Sequence, residues 1–219
     1  MGRNNRIKLL LVNDYQIVRE GLRLLFESQS DMEVLDGKED GKSVVQLSDE
    51  LEPDVIVIDI NMSGTDNIEL SRRIINENPS IRIIVLPERI HMFFLSQAIK
   101  AGITGFVLKE CSFNVLVHAV RTVYENGTYM CPEIKDVLAN GYLNQVRPDY
   151  QGESSTLSEK EYEIIQLLSL GMTSKEIAVR MEISPKTVDA YRRQIMDKLD
   201  INSVAELIKH AIREGITSV

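Results

Sequence analysis

The first 125 residues alternate short apolar runs with longer stretches in which apolar residues recur every three or four positions. The runs at 8–12, 32–35, 55–58, 83–86 and 105–108 are dominated by Ile, Val and Leu, and several are apolar without a break. Unbroken runs of that length fit strands buried on both faces of a sheet. Between them the spacing predicts helices at 17–27, 42–51, 68–78, 91–101 and 113–125. In the last, Leu116, Ala119, Val120 and Val123 fall at i, i+3, i+4 and i+7, one face of a helix, and Asn126-Gly127 supplies a stop. Five strand-helix units in sequence predict an α/β domain, a doubly wound parallel sheet of five strands in flavodoxin-like order. Ligands of such sheets sit at the carboxyl ends of the central strands. The fourth helix carries Met92, Phe93, Phe94 and Leu95 in succession, and four neighbours cannot all face one core. Core packing with one exposed apolar residue is the first expectation there, and a dimerisation or interdomain patch is the alternative.

The remainder has no strand pattern. Residues 144–156 are polar and contain Pro148 and Gly152, as a linker would. Beyond them come three Ser/Thr-x-x-Glu capping boxes, Ser158/Glu161, Thr173/Glu176 and Ser203/Glu206, and a Ser184-Pro185 start. They predict four helices, at 158–170, 173–181, 184–199 and 203–214, with Gly171 and Gly215 at helix ends. The chain thus divides into an α/β domain over 1–130, a connecting helix and linker over 131–156, and a small all-α domain over 157–219.

Composition narrows the classes. The chain has 219 residues, 43% of them hydrophobic, which is ordinary for a globular protein. No apolar run reaches the roughly 18 residues that cross a bilayer, and the first residues do not read as a leader, so a cytoplasmic protein without a membrane partner is expected. The net charge is −8, of which residues 1–155 carry −7 and residues 156–219 only −1, so nucleic-acid binding must rest on a local basic patch. Cys111 and Cys131 lack metal-type spacing and read as free thiols, with a redox role as the lesser alternative. His91, His118 and His210 show no catalytic or metal spacing.

Asn13 and Asp14 end the first strand and Asp59 the third, and in a sheet of this order those strands are central neighbours. Converging oxygen ligands suit Mg²⁺, which takes one or two carboxylates plus water and phosphate oxygens. Asp59 could then attack a phosphoryl donor, with Lys109, at the end of the fifth strand, pairing with the phosphoryl group. Strand-end carboxylates of this kind can also be merely solvated or cap a helix.

The ordered set Val12-Asn13-Asp14-Tyr15, Val18-Arg19, Gly21-Leu22, then Pro53-Asp54-Val55-Ile56-Val57-Ile58-Asp59-Ile60-Asn61-Met62 and Gly64, then Gly105-Phe106-Val107-Leu108-Lys109, resembles a response-regulator receiver of the NarL/FixJ class. The resemblance implies Asp59 as phosphoacceptor, Asp14 as a metal ligand, the backbone carbonyl of Asn61 as another, and Asn13 as a weak one. Pro87 and Phe106 take the switch positions. Four departures stand out. Asn13 replaces one of a usual pair of acids, so Mg²⁺ affinity should fall. Pro87 stands where a Ser or Thr hydroxyl normally bonds the phosphoryl oxygen, and proline has neither hydroxyl nor amide hydrogen. Glu88 occupies a usually small position beside it. Ser63 replaces a common proline.

In the helical half, Val188, Ile195 and Leu199 repeat at core spacing beside Tyr191, and the opposite face offers Lys186, Asp189, Ala190, Arg193 and Lys198. The links Gly171-Met172 and Glu182-Ile183 are short enough for a helix-turn-helix. The segment Leu157-Ser158 with Glu161, Gly171-Met172-Thr173-Ser174-Lys175-Glu176-Ile177-Ala178, Ile183-Ser184-Pro185-Lys186-Thr187-Val188 and Lys198-Leu199 resembles the LuxR-type DNA-binding domain. The resemblance implies base reading by Asp189, Ala190 and Arg193, and phosphate contacts by Lys175, Lys186, Thr187, Arg192 and Lys198. Asp189 departs from an often basic position, where it could accept from cytosine or repel phosphate. Tyr191 replaces a usual histidine. The last helix would form a dimer interface.

The function expected is a DNA-binding transcription regulator, not an enzyme, acting as a homodimer on double-stranded DNA with inverted half-sites. A sensor histidine kinase and RNA polymerase are the further partners implied. With Asn13 and Pro87 in place, DNA binding is expected to persist without a phosphodonor. The alternatives are a phosphorylation-insensitive docking adaptor and, further off, a phosphohydrolase with Asp59 as nucleophile.

Overall fold

The computed structural model describes residues 6–35, 41–60, 67–90, 92–146, 157–213 and 216. Asn61, Ser63, His91, Gly215 and most of the 144–156 linker lie outside them. The chain folds into two units, Met1–Ile90 with Leu95–Val137, and His91–Phe94 with Leu138–Val219.

The first unit is built on β1 (Ile7–Val12), β2 (Met32–Leu35), β3 (Val55–Asp59), β4 (Arg82–Leu86), β5 (Gly105–Phe106) and β6 (Tyr129–Met130). All pairings are parallel, in the order β2-β1-β3-β4-β5-β6. The order is the expected one, but six strands stand where five were predicted. The extra strand pairs Gly105 with Tyr129 and Phe106 with Met130. Two half-buried residues give no period to read, so β6 left no pattern in the sequence. β5 in turn stops at Phe106 rather than 108. A Cβ on Gly105 would overlap Ile84 of β4, so glycine lets the two strands approach.

The strands are buried on both faces. On one, Leu9, Leu11, Val55, Val57, Ile84 and Leu86 pack with Phe26 of α1 (Gln16–Glu27) and with Leu116, Val120 and Val123 of α5 (Phe113–Tyr124). Phe26 meets Phe113 edge to face, with ring centroids 5.0 Å apart. The alternate residues Leu10, Ile56, Ile58, Ile83 and Val85 are equally buried and point the other way by the two-residue period of a strand. The remaining helices of this part of the chain are α2 (Gly41–Leu51), α3 (Asn67–Glu77) and α4 (Met92–Lys100), and α6 (Pro132–Val146) follows β6. In α4 Leu95 and Ala98 are buried, whereas Met92, Phe93 and Phe94 are half-buried. A bidentate ion pair ties α5 to the turn before β2, with Arg121 Nε 2.8 Å from Asp31 Oδ2 and Nη2 2.9 Å from Oδ1.

The helical unit holds α7 (Glu159–Ser169), α8 (Ser174–Arg180), α9 (Pro185–Lys198) and α10 (Val204–Arg213). Its core joins Leu157, Ile164, Ile165, Leu168, Ile177, Val188, Ile195, Leu207 and Ala211. Ser158/Glu161 and Thr173/Glu176 close as complete capping boxes. The third differs: Ser203 Oγ accepts from Glu206 N–H, but the Glu206 carboxylate accepts from Asn202 N–H, one residue further back. Ser184 caps α9 by accepting from Thr187 N–H, with Pro185 at the first helical position. Among the described residues, no helix is long and apolar enough to cross a membrane.

Candidate functional site

The register between central strands places the acidic site. Val12 of β1 lies opposite Ile58 of β3, so Asn13 emerges beside Asp59. Asn13 Nδ2 donates to Asp59 Oδ2 at 2.7 Å, and both residues are buried. The other end of the amide is held too, because Asn13 Oδ1 accepts from Tyr15 N–H at 2.8 Å. Lys109 Nζ stands 2.9 Å from the same Asp59 oxygen. Its backbone N–H donates to Pro87 O at 2.9 Å, which fixes the lysine beyond the end of β5. The Asp59 carboxylate is therefore engaged by an amide and an ammonium, each a charge-assisted contact contributing about 1.5–3 kcal/mol where desolvated.

The neighbouring positions alter the electrostatics further. Glu88 Oε1 lies 3.7 Å from Lys109 Nζ, so a second, well-exposed carboxylate shares the ammonium. Pro87 is buried, and Phe106 on the adjacent strand is fully enclosed. Asp14 is exposed at the mouth of the site. The carboxylates of Asp14 and Asp59 are the hard oxygen donors that Mg²⁺ takes, so the residues fit that ion. Asn13 does not add a third donor as it stands, because its nitrogen faces Asp59 and its oxygen faces a backbone N–H. Bound there, Mg²⁺ would supply charge neutralisation for an incoming phosphoryl group.

In the helical unit, α9 exposes Lys186, Thr187, Asp189, Ala190 and Arg193, and α8 exposes Lys175. Asp189 is not a free acceptor: its Oδ1 accepts from Ser174 Oγ of α8 at 2.8 Å and lies 3.5 Å from Arg192 Nη1. Arg192 also donates to Ser174 Oγ at 3.2 Å. This acid therefore neutralises a neighbouring arginine and ties the two helices of the reading unit together. Arg193 Nε donates to Asp189 O at 3.3 Å, which leads its guanidinium back along the exposed face of α9. Lys198 sits elsewhere, with Nζ 2.8 Å from Oε2 of Glu161, a carboxylate only 1% exposed. Burial pushes the Glu161 carboxyl up, but hydrogen bonds from Lys198 and from Ser158 more than offset it and hold it below its usual range. The ion pair thus engages Lys198 in bracing α7 against α9, although its side chain stays partly exposed.

Comparison with known proteins bears on both halves. Residues 9–121 match the response regulator receiver domain, and residues 155–211 match the luxR family of bacterial regulatory proteins. The chain belongs to the LuxR-type response regulators. The oxygen regulatory protein NreC of Staphylococcus carnosus is 32% identical over 214 residues, covering 96% of this chain and 99% of NreC. The transcriptional regulatory protein DegU of Brevibacillus brevis is 28% identical over 228 residues, covering 98% of this chain and 97% of DegU. Among solved structures, the response regulator ChrA of a heme-sensing two-component system aligns with a TM-score of 0.53 at 27% identity, covering 97% of this chain and all of that one. RcsB of Salmonella enterica serovar Typhimurium, solved on the promoter rprA with the phosphomimetic BeF3−, aligns at 0.61 with 25% identity, covering 94% and 98%. This response regulator is accordingly a DNA-binding transcription regulator of two-component signalling, with a receiver and a LuxR-type helix-turn-helix.

One cluster in the regulator was hidden from the sequence. Cys111, after β5, and Cys131, before α6, are twenty residues apart, yet the two sulfurs and a Glu133 carboxylate oxygen all lie within 4.8 Å of one another. The pairing of β5 with β6 brings them together, and that strand was the one the sequence did not show. Burial pushes the Cys131 thiol up to about 11.

Proposed function

We propose that this response regulator binds DNA as a homodimer on inverted half-sites, and that its DNA binding does not wait for phosphorylation. Asp59 is the phosphoacceptor in this reading, with Lys109 as the phosphoryl partner and with Asp14, Asp59 and the Asn61 carbonyl as the weak Mg²⁺ set. The observation that carries the reading is the clamp on Asp59, whose Oδ2 is held by Asn13 at 2.7 Å and by Lys109 at 2.9 Å. An amide where a second acid is usual stabilises the unphosphorylated carboxylate without a metal. At the next strand end, Pro87 carries no hydroxyl to close on a phosphoryl oxygen. Phosphorylation would therefore change little on the path toward Phe106. The solved complex of RcsB with promoter DNA supports the same use of the helical half here, with Ala190 and Arg193 reading bases and Lys175, Lys186 and Thr187 meeting phosphates. RNA polymerase is a further partner in this reading, and a sensor histidine kinase would act on Asp59 without gating DNA binding.

Selection of duplexes from a random pool with the unphosphorylated chain tests it. The expected product is an inverted repeat, bound equally well, within about twofold, by wild type and Asp59→Asn. Arg193→Ala should weaken that complex by about 1–3 kcal/mol, as loss of a base-reading arginine does. A pool that enriches nothing would favour the adaptor reading, and a duplex bound only after phosphodonor treatment would overturn the phosphorylation-independent one.

A further inference from the structure

The strongest unassigned chemistry in the molecule is the convergence of Cys111, Cys131 and Glu133. Three donors from two separate segments meet: Cys111 from the loop after β5, Cys131 just before α6, and Glu133 in the first turn of α6. Their ligand atoms lie within 4.8 Å of one another. Two thiolates each about 2.3 Å from a tetrahedral Zn²⁺ stand roughly 3.8 Å apart, so small side-chain rotations would bring this set onto one ion. Cys111 is partly accessible and Glu133 is exposed, which gives an ion a way in, while Cys131 is fully buried and would form the floor. The backbone is firmly placed on both sides. Cys111 N–H donates to Leu108 O at 3.0 Å, Cys131 N–H donates to Phe106 O at 3.2 Å, and Cys131 O accepts the first helical bonds of α6 from Ile134 and Lys135.

We propose that Cys111, Cys131 and Glu133 form a binding site for a thiophilic divalent cation of the Zn²⁺ class. Two thiols and one carboxylate supply three ligands, and a water completes four, the arrangement of a zinc site that keeps one open position. Binding releases the two thiol protons and leaves three negative donors around a doubly charged ion. A disulfide between the cysteines would use only two of the three converging groups. The Glu133 carboxylate accepts a hydrogen bond from the Cys131 thiol, and an ion would replace that proton while also engaging Cys111. The hard-oxygen site at Asp59 and Asp14 is chemically distinct, because it offers no sulfur. An ion at the cysteine cluster would brace the loop that carries Lys109, two residues before Cys111, against the first turn of α6.

Co²⁺ titration of the reduced, metal-free full chain tests the proposal, because cobalt bound to thiolate shows an intense near-ultraviolet charge-transfer band that oxygen-bound cobalt lacks. The expected result is a band that saturates at one equivalent, is displaced by Zn²⁺, and is unchanged in Asp59→Asn. Cys111→Ser should abolish it, and Glu133→Gln should weaken Co²⁺ binding at least tenfold. Glu133 is exposed and Cys111→Ser exchanges one atom at a half-buried position, so circular dichroism of both variants should match wild type, whereas Cys131→Ser tests a buried residue and is not needed. Zn²⁺ should also raise the melting temperature of wild type but not of Cys111→Ser. No charge-transfer band in the wild type, or a band of equal strength in Cys111→Ser, would overturn the proposal.

Discussion

Asn13 is where a single side chain redirects the chemistry of the receiver. Its nitrogen lies 2.7 Å from Asp59 Oδ2, so replacing it by aspartate sets two carboxylates against each other with no metal between them. Asn13→Asp should lose about 2 kcal/mol in metal-free buffer. It should regain stability as Mg²⁺ is added, a response that thermal melting with and without Mg²⁺ would show to be much smaller in wild type. Lys198 and Glu161 make a second case. Lys198→Met leaves a carboxylate buried beside only the Ser158 donors, and should cost the helical unit about 2–3 kcal/mol in urea unfolding, less than a fully buried pair because the ammonium is partly solvated. Glu161 is held below its usual value in the folded state, so its contribution is fully present above the unfolded pKa near 4.5 and is lost as pH falls through the lower folded one. That acid-side loss should shrink in Lys198→Met, which keeps only the Ser158 hydrogen bonds against the cost of burial. The LuxR-type motif suggested Lys198 and Asp189 as DNA contacts, but sequence spacing cannot show that each has an internal partner on another helix.

At the scale of elements, the order and type of the long helices and buried strands were legible because each carries a period. Ile/Val-rich runs marked β3 and β4, a Leu-rich run after Lys8 marked β1, and Ser/Thr-x-x-Glu marked helix starts in the second half. What escaped were the elements too short for a period: β6, the truncation of β5, and hence the Cys111–Cys131–Glu133 cluster that their pairing creates. Helix ends were legible where glycine marked them, as at Gly171 with φ 79°, and hidden where an ordinary residue takes the same conformation. Glu182 closes α8 at φ 54°, while Ile183 N–H donates to Ala178 O at 3.0 Å. A side chain there is strained in the left-handed region, so Glu182→Gly should stabilise the helical unit by about 0.5–1 kcal/mol, seen as a higher urea midpoint at unchanged slope. Glycine accepts the same φ, so the α8–α9 connection should keep its course in the variant.

For the whole molecule, the charge balance and the site geometry bear on one question, namely what controls DNA binding. The net charge of −8 lies almost wholly in residues 1–155, and the helical half is nearly neutral, so DNA affinity must rest on a local group of cations rather than on net charge. The sequence made the two-part plan plain, because it rests on ordered motifs, and the proposal of Asp59 as phosphoacceptor rests on motifs of the same kind. It could not show that the Asn13 amide is turned toward Asp59, which depends on the Tyr15 N–H that orients it. Affinity for the selected duplex, measured by fluorescence anisotropy before and after acetyl phosphate with Mg²⁺, decides the matter, with intact mass on the same sample to report the phosphoryl adduct and Asp59→Asn as control. Unchanged affinity, within about twofold, in a sample that carries the adduct or refuses it, is what the clamp on Asp59 and the proline at 87 predict. A gain of tenfold or more that appears with the adduct and is absent from Asp59→Asn would contradict them.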